Sequence, residues 1–428
     1  MVMGNNASNS APAHRARRLL AAATVVVLAA LGTVPAAADG RRDSAPRPSA
    51  TTTDARHTAR GALLSITPVA TVGRAGVKDF LASAGMDTAT VRHGVRAYRL
   101  TYRTLTPQGA PTTATGLFVL PDGGAHRLDL VSDTHGTMVH RDYAPSVGED
   151  FGRYAPYLHA SAGRAVAAPD YLGLGEGPGH HPYMDTASSV SASLDMLRAS
   201  RTAAQRLDRP LTGDVYASGF SQGGQVAMAL GKALRNGADR RFTLKALAPV
   251  SGPYDIEHAE IPALFDGRVN DTSGLFYMTY FLTAQNRIHP LYEDPAEVFR
   301  APYADIAEEL FGTHHTEEEI FTALPGTLKD LLTDAYYEKV QHPSGALLAA
   351  VRAQDGNCAW RPGVPVRLYS ASGDTDVPIA NARACAADLA AHGTKVPVTD
   401  QGAADHNGTY LKSGPQIVRW FDALAARG

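Results

Sequence analysis

One short string constrains this chain more than any other: Gly219-Phe220-Ser221-Gln222-Gly223-Gly224, set between two segments of different periodicity. The run before it, Asp214–Ser218, is short and continuous in the way of a buried strand. The run after it carries Val226, Ala229, Leu230, Ala233 and Leu234 at i, i+3, i+4, i+7 and i+8, the apolar stripe of a helix. The string is therefore a strand-to-helix turn so tight that its flanking residues must be small, or they collide with the strand and the helix. Ser221 is pushed out at the helix N-terminus, where backbone N–H groups and the helix dipole favour developing negative charge. A bare G-x-S-x-G arises by chance in a chain with 40 Gly; the strand before it and the helix after it make it the turn that presents a nucleophile.

The same alternation extends along the chain. Tyr98–Leu105 and Thr113–Leu120 read as an antiparallel pair across a Pro/Gly turn. Leu128–Ser132, Arg164–Pro169, Leu244–Val250, Val364–Ser370 and Lys395–Thr399 are further short apolar runs. Between them, Val190, Leu194, Leu197, Ala204 and Leu207 fall on one helical face, and Ile417, Trp420, Phe421 and Leu424 follow Pro415, taken as a first-turn residue. Continuous Val/Leu/Ala strands separated by helices predict an α/β fold, with a mostly parallel central sheet covered on both faces. Residues 254–360 break the pattern with acidic helical stretches and no convincing strand. They read as a helical cap inserted between a first core segment, 61–253, and a second, 361–428. Such an insertion lies over the sheet edge where α/β proteins bind ligands. Within it, Gly274–Leu282 is nearly devoid of polarity, which fits a buried helix, a wall for an apolar chain, or both.

The first 38 residues have the plan of a secretory signal: Arg15, Arg17 and Arg18, an apolar run from Leu19 to Leu31, and a small-residue cleavage site at Ala36-Ala37-Ala38. The apolar run is shorter than the ~20 residues that span a bilayer, so a stable membrane anchor is not expected. Residues 39–60, rich in Arg, Ser, Thr, Pro and Ala, read as a disordered leader. A formal charge of −2 argues against nucleic acid as a partner, because phosphate binding needs a basic surface, and cleavage near Ala38, which removes three Arg, moves it to −5. Export also bears on Cys358 and Cys385, the chain's only cysteines. In an oxidising compartment they are expected to form one disulfide, the alternative being two unpaired buried thiols.

A serine hydroxyl needs a base, and in this kind of fold the acid and then the histidine follow the nucleophile along the chain. The acid belongs in the loop Ala371–Pro378 after the Val364–Ser370 strand. Asp374 has the D-x-x-V-P spacing to Val377 and is preferred, while Asp376 has the spacing of G-x-x-D. The base is His406, in the loop after the last strand; His392, beside Gly393, reads as a helix-end residue. Two backbone N–H groups should hold the oxyanion, that of Gln222 and, from His135-Gly136-Thr137, that of Thr137. His135 reads as orienting its loop, and Asp170-Tyr171 as bracing the turn. The pairs His180-His181 and His314-His315 match no zinc spacing and read as polar loop residues. Neither a metal nor a cofactor is called for.

Together these strings carry a resemblance. His135-Gly136-Thr137, Pro169-Asp170-Tyr171-Leu172-Gly173-Leu174-Gly175, Gly219–Gly224, Tyr369–Pro378 and Asp405-His406 resemble the α/β-hydrolase superfamily. Within it the chain is similar to secreted bacterial esterases and cap-bearing secretory lipases of the lipase-A type. The resemblance implies hydrolysis of small-molecule or lipid carboxylic esters through an acyl-enzyme, with Ser221, Asp374 and His406 as triad and a cap that helps select the acyl group. An acyltransferase or a peptidase/amidase would use the same triad, and a non-catalytic binding module of this fold is the remaining alternative.

Overall fold

The computed structural model describes residues 60–427; the expected signal segment and nearly all of the leader lie outside them. Nine strands form one sheet in the order β1-β2-β3-β5-β4-β6-β7-β8-β9. They are β1 (Leu63–Val72), β2 (Gly94–Leu105), β3 (Pro111–Asp122), β4 (Leu128–Thr134), β5 (Ala165–Pro169), β6 (Leu211–Phe220), β7 (Thr243–Val250), β8 (Leu368–Ser370) and β9 (Val398–Asp400). The pairs β1/β2, β2/β3 and β3/β5 are antiparallel and every pair from β5 through β4 to β9 is parallel. The helices of ten or more residues are α1 (Arg74–Ser83), α2 (Thr186–Arg206), α3 (Gln222–Arg235), α4 (Asp271–Asn286), α5 (Gly345–Gln354), α6 (Ala380–Ala391) and α7 (His406–Ala425).

Strand alternation explains the two covered faces. On β6, Val215 and Ala217 pack into a core with Leu197 of α2, Leu230 of α3 and Leu389 of α6. Their neighbours Tyr216 and Phe220 point to the opposite core, with Leu81 of α1, Phe421 of α7 and Leu158 of the short helix Tyr154–Ser161. Both faces of the parallel strands are thus buried, which is why those runs are continuously apolar. A second, helical core includes Leu275, Phe299, Leu331, Tyr336 and Val351, while Tyr254, Cys358 and Trp360 pack in the core of the sheet. The one extended contact within residues 254–360 is an isolated bridge, Phe299 to Leu332.

Three features differ from the sequence expectations. Strand β1 was not anticipated: it is an edge strand broken by register shifts, one of them between Pro68 and Ala70, so it carries neither clean alternation nor a continuous apolar run. Pro415 is not in the first turn of α7 but inside it; the helix starts at His406, with Asp405 as N-cap accepting the Gly408 N–H at 2.6 Å. The polar string Asp405–Gly408 looks like a loop because a capping Asp and a Gly are also turn residues. The expected strands at Val364 and Lys395 are shortened by Pro365 and Pro397, which lack the N–H that regular pairing uses.

Cys358 and Cys385 form a disulfide, with Cα atoms 5.2 Å apart. It joins the segment leaving the helical insertion to α6.

Candidate active site

Strand β6 ends at Phe220 and α3 begins at Gln222, so Ser221 is the whole connection. Its φ is 55° and ψ −126°, a left-handed conformation that costs a non-glycine residue about 1–3 kcal/mol. The neighbouring chain is too close for side chains at the flanking positions. A Cβ on Gly219 would lie 2.1 Å from Thr134 Oγ1 and 2.2 Å from Gly223 O, and one on Gly223 would lie 1.9 Å from Thr134 O. The strain is held by hydrogen bonds: Ser221 N–H donates to Val250 O on β7 at 2.9 Å, and Thr134 Oγ1 reaches Gly223 O at 2.7 Å. Ser221 is 5% exposed, and its hydroxyl makes no hydrogen bond among the described residues.

His406 and Asp374 come together although 32 residues separate them. His406 Nδ1–H donates to Asp374 Oδ2 at 2.8 Å, with both side chains buried. The other oxygen, Asp374 Oδ1, accepts the N–H groups of Asp376 and Val377, each at 3.0 Å. Burial pushes this carboxyl up, but the hydrogen bond and charge of His406 and the two N–H groups outweigh it and leave it below its ordinary value. The His406 ring lies against Phe220, 4.5 Å between centroids, one residue before Ser221. Its Nε2 is buried with no hydrogen-bond partner among the described residues.

Asp376 is not bonded to the histidine. Its Oδ1 accepts from Asn270 Nδ2 at 2.7 Å and Ser273 Oγ at 2.8 Å. Asn270 is also the N-cap of α4 and donates its own N–H to Thr375 O at 3.0 Å. Two aspartates two residues apart therefore face opposite ways, one toward the histidine and one fastening the cap.

The loop after β4 runs beside the serine. The position a Cβ would take on Gly136 is 3.1 Å from Ser221 Cβ. Thr137 lines the same cavities as Ser221, with its hydroxyl 2.9 Å from Tyr183 Oη. Its N–H has no protein acceptor among the described residues, and the Gln222 N–H lies in the unpaired first turn of α3. His135 is buried, with Nδ1 2.7 Å from Gly136 O and Nε2 3.2 Å from Asp170 O; burial pushes its imidazole down to about 4, and the neutral ring has a proton for only one of the two carbonyls. Asp170 is fully buried and binds Thr115 Oγ1, Ser146 N–H and Ser146 Oγ, tying β3 to the 141–146 loop. Tyr171 donates to His135 O at 3.2 Å.

Sequence reasoning missed two buried groups here. His181 is not a surface loop residue: Nδ1–H donates to Leu172 O at 2.9 Å, and Nε2 receives the Gln222 side-chain N–H at 3.3 Å. It holds the residue that follows Ser221, and nothing in a His-His doublet signals that. Asp133, at the end of β4, is buried without a hydrogen bond, and burial pushes its carboxyl up to about 7.

Ser221 stands at the junction of two cavities. One is narrow, with a cavity volume of about 80 Å³, and is walled by apolar side chains, among them Ile261, Leu264, Met278, Phe281 and Val351. The other has about 500 Å³ and is lined by both polar and aromatic residues. Thr137, Tyr277 and Asp376 border both. Helix α4 supplies Tyr277, Met278 and Phe281, so Gly274–Leu282 is both a largely buried helix and a cavity wall. Among the described residues no group of three or more His, Cys, Asp or Glu side chains is placed to hold a metal ion, and no helix is long and apolar enough to cross a membrane.

The nine-stranded, mostly parallel sheet with its helices is the α/β-hydrolase fold, and esterases and lipases are among the solved structures that share it. Among solved structures, the chain is similar to the rice cell wall degrading esterase LipA of Xanthomonas oryzae, at 28% identity and TM-score 0.75 over 86% of this chain and 99% of that one. A presumed hydrolase of Legionella pneumophila matches at 25% identity and TM-score 0.78, over 85% and 98%. Lipase A of Candida antarctica shares the fold at 16% identity and TM-score 0.60, over 82% and 79%. No protein-family model matches the chain, and no curated protein matches it by sequence.

Proposed function

We propose that this protein is an exported carboxylic ester hydrolase that works through a Ser221–His406–Asp374 triad and an acyl-enzyme. The observation that carries the reading is a serine with strained backbone and an unbonded hydroxyl open to the cavities, one residue after the ring of Phe220, which packs on a histidine whose Nδ1 is fixed by a carboxylate. Asp374 holds the Nδ1–H tautomer, which leaves the Nε2 lone pair to take the serine proton. The Ser221–His406 hydrogen bond closes as substrate binds, since such bonds are often long in free enzymes. Ser221 Oγ then adds to the ester carbonyl, and the oxyanion meets the N–H groups of Thr137 and Gln222. The alcohol departs with the proton from His406, and water, deprotonated by the same imidazole, releases the acid. The narrow apolar cavity suits the acyl group, and the wider one suits the alcohol. The N-terminal segment and the Cys358–Cys385 disulfide both favour an oxidising, extracytoplasmic setting.

The test sets p-nitrophenyl esters of increasing chain length beside peptide p-nitroanilides, with and without added alcohol. Ester turnover abolished by Ser221→Ala is the expected result. Preference for the anilide would assign a peptidase, preferential transfer to the alcohol an acyltransferase, and turnover indifferent to Ser221→Ala would overturn the triad.

A further inference from the structure

The wider cavity has a composition that the hydrolytic reading leaves unused. Three carboxylates border it, Asp150, Glu317 and Asp376, and no Lys, Arg or His lines it. Asp150 and Glu317 side chains have no hydrogen bond or ion pair among the described residues, whereas Asp376 is partly engaged by Asn270 and Ser273. Six aromatic rings share the lining. Phe276 and Phe321 pack with centroids 5.3 Å apart, and Phe321, 40% exposed, is one of two large apolar side chains left in solvent among the described residues. Ser221, 5% exposed as a residue and with its hydroxyl unbonded among the described residues, borders this same space.

Ring faces carry negative potential, and carboxylates are acceptor-only anions. A cavity walled by both, with no compensating cation, attracts a positive charge and repels a negative one. A neutral polyol could donate hydroxyls to the carboxylates but would gain nothing from the net charge. We propose that the wider cavity selects esters whose alcohol carries an ammonium group, as in a choline or other amino-alcohol ester. This rests on the hydrolytic reading and names the leaving group it favours. In the reaction Ser221 Oγ displaces the alcohol from the acyl carbon, the acyl–oxygen bond breaks, His406 protonates the departing oxygen, and the amino alcohol leaves with its ammonium charge unchanged.

The experiment compares kcat/KM of the full chain for butyrylcholine, for 3,3-dimethylbutyl butyrate (the same shape with carbon in place of N⁺), for an anionic sulfopropyl butyrate and for glyceryl butyrate. The choline ester should exceed its neutral isostere roughly tenfold, and the anionic ester should be the poorest. The preference should shrink between about 0.01 M and about 1 M salt, as the Debye length falls from about 30 to about 3 Å. Asp150→Asn with Glu317→Gln should lower the choline-to-isostere ratio roughly threefold or more. Calorimetry with choline and with 3,3-dimethylbutanol supplies a readout without chemistry, and only choline should bind. Esters turned over without cation preference, with the glyceryl ester best, or with a ratio untouched by the double variant, overturn this inference and leave the hydrolase reading standing. Choline binding without turnover of any ester would keep the cation-binding cavity but overturn the hydrolase reading, and with it the cavity's role as a leaving-group pocket.

Discussion

Replacing Asp374 by Asn tests the triad more sharply than deleting it, because the geometry dictates how the amide must sit. Asp374 Oδ1 accepts two backbone N–H groups at 3.0 Å, from Asp376 and Val377, and Oδ2 accepts His406 Nδ1–H at 2.8 Å. An asparagine has one oxygen. Turning its NH2 toward the two N–H donors would leave those buried donors unsatisfied, at about 1–3 kcal/mol each. The amide oxygen therefore takes the Oδ1 place and the NH2 faces His406. Its donor forces Nδ1 to accept, the ring proton moves to Nε2, and the base is blocked where the serine proton must go. A tautomer reversal of this kind costs about 10⁴ in kcat, or about 5.4 kcal/mol of barrier at 1.36 kcal/mol per tenfold. The assay is kcat/KM on a soluble p-nitrophenyl ester for Asp374→Asn and Asp376→Asn side by side, with thermal unfolding to establish that both fold. Asp376→Asn, which loosens only the Asn270 and Ser273 contacts, should stay within about tenfold of the parent. Should Asp374→Asn keep a tenth of the activity while Asp376→Asn is crippled, the assignment of the acid and the argument from the two N–H groups both fail.

Three further outcomes follow from the packing and the titrating groups. Gly223→Ala puts a methyl 1.9 Å from the Thr134 carbonyl and should abolish soluble, folded protein, while Gly73→Ala, with open space around it and φ −65°, should express and unfold like the parent. Replacing both Cys358 and Cys385 by Ser should lower unfolding free energy in urea by about 3.5 kcal/mol, from the chain entropy of a 27-residue loop, an effect that reduction of the parent should reproduce. Asp133 has its carboxyl raised from 3.8 to about 7, so the native state holds a proton that the unfolded state releases across that window, and the residue's contribution to stability falls as pH rises through it. Asp133→Asn should therefore gain on the parent by on the order of 4 kcal/mol between pH 4 and pH 8 in urea midpoints, and an unchanged difference would show that Asp133 is ionised in the folded protein.

The parts of the fold legible in the sequence are those where one physical demand dominates. Continuous apolar runs mark β4 to β7 because both sheet faces bury their side chains, and the elbow is legible because two backbone approaches under 2.3 Å permit only Gly219 and Gly223. The Asp374–His406 pairing was legible from loop order, and the Asp374 spacing to Val377 reflects the Val377 N–H bonded back to its carboxylate. Edge strand β1 was not legible, since an exposed, bulged strand has no periodic burial to record. Nor were the roles of His181 and Asp133, because whether a polar residue in a connecting segment ends inside or outside depends on what packs over it. His181 is enclosed by Tyr171, Tyr183 and Tyr280, the last contributed by the cap nearly a hundred residues later.

That dependence on distant cover also explains why the insertion is fastened where it is. At its start, Asn270 both caps α4 and bonds Thr375 O and Asp376, so the first turn of the cap's main helix is anchored in the loop that holds Asp374. At its end, Arg352 pairs with both oxygens of Glu257, and Cys358 is bonded to Cys385 in α6. In the middle, Tyr280 donates to Met138 O at 3.3 Å and stacks on Tyr183, whose hydroxyl meets Thr137. The Asn270 and Tyr280 ties end on segments that carry or adjoin a proposed catalytic group, the disulfide ends on α6 just beyond the Asp374 loop, and the Arg352–Glu257 pair closes the insertion on itself. A cap tied in this way fixes the acyl cavity and the acid loop relative to each other, so a side-chain change on α4 alters the space around Ser221 without any change to the sheet beneath it.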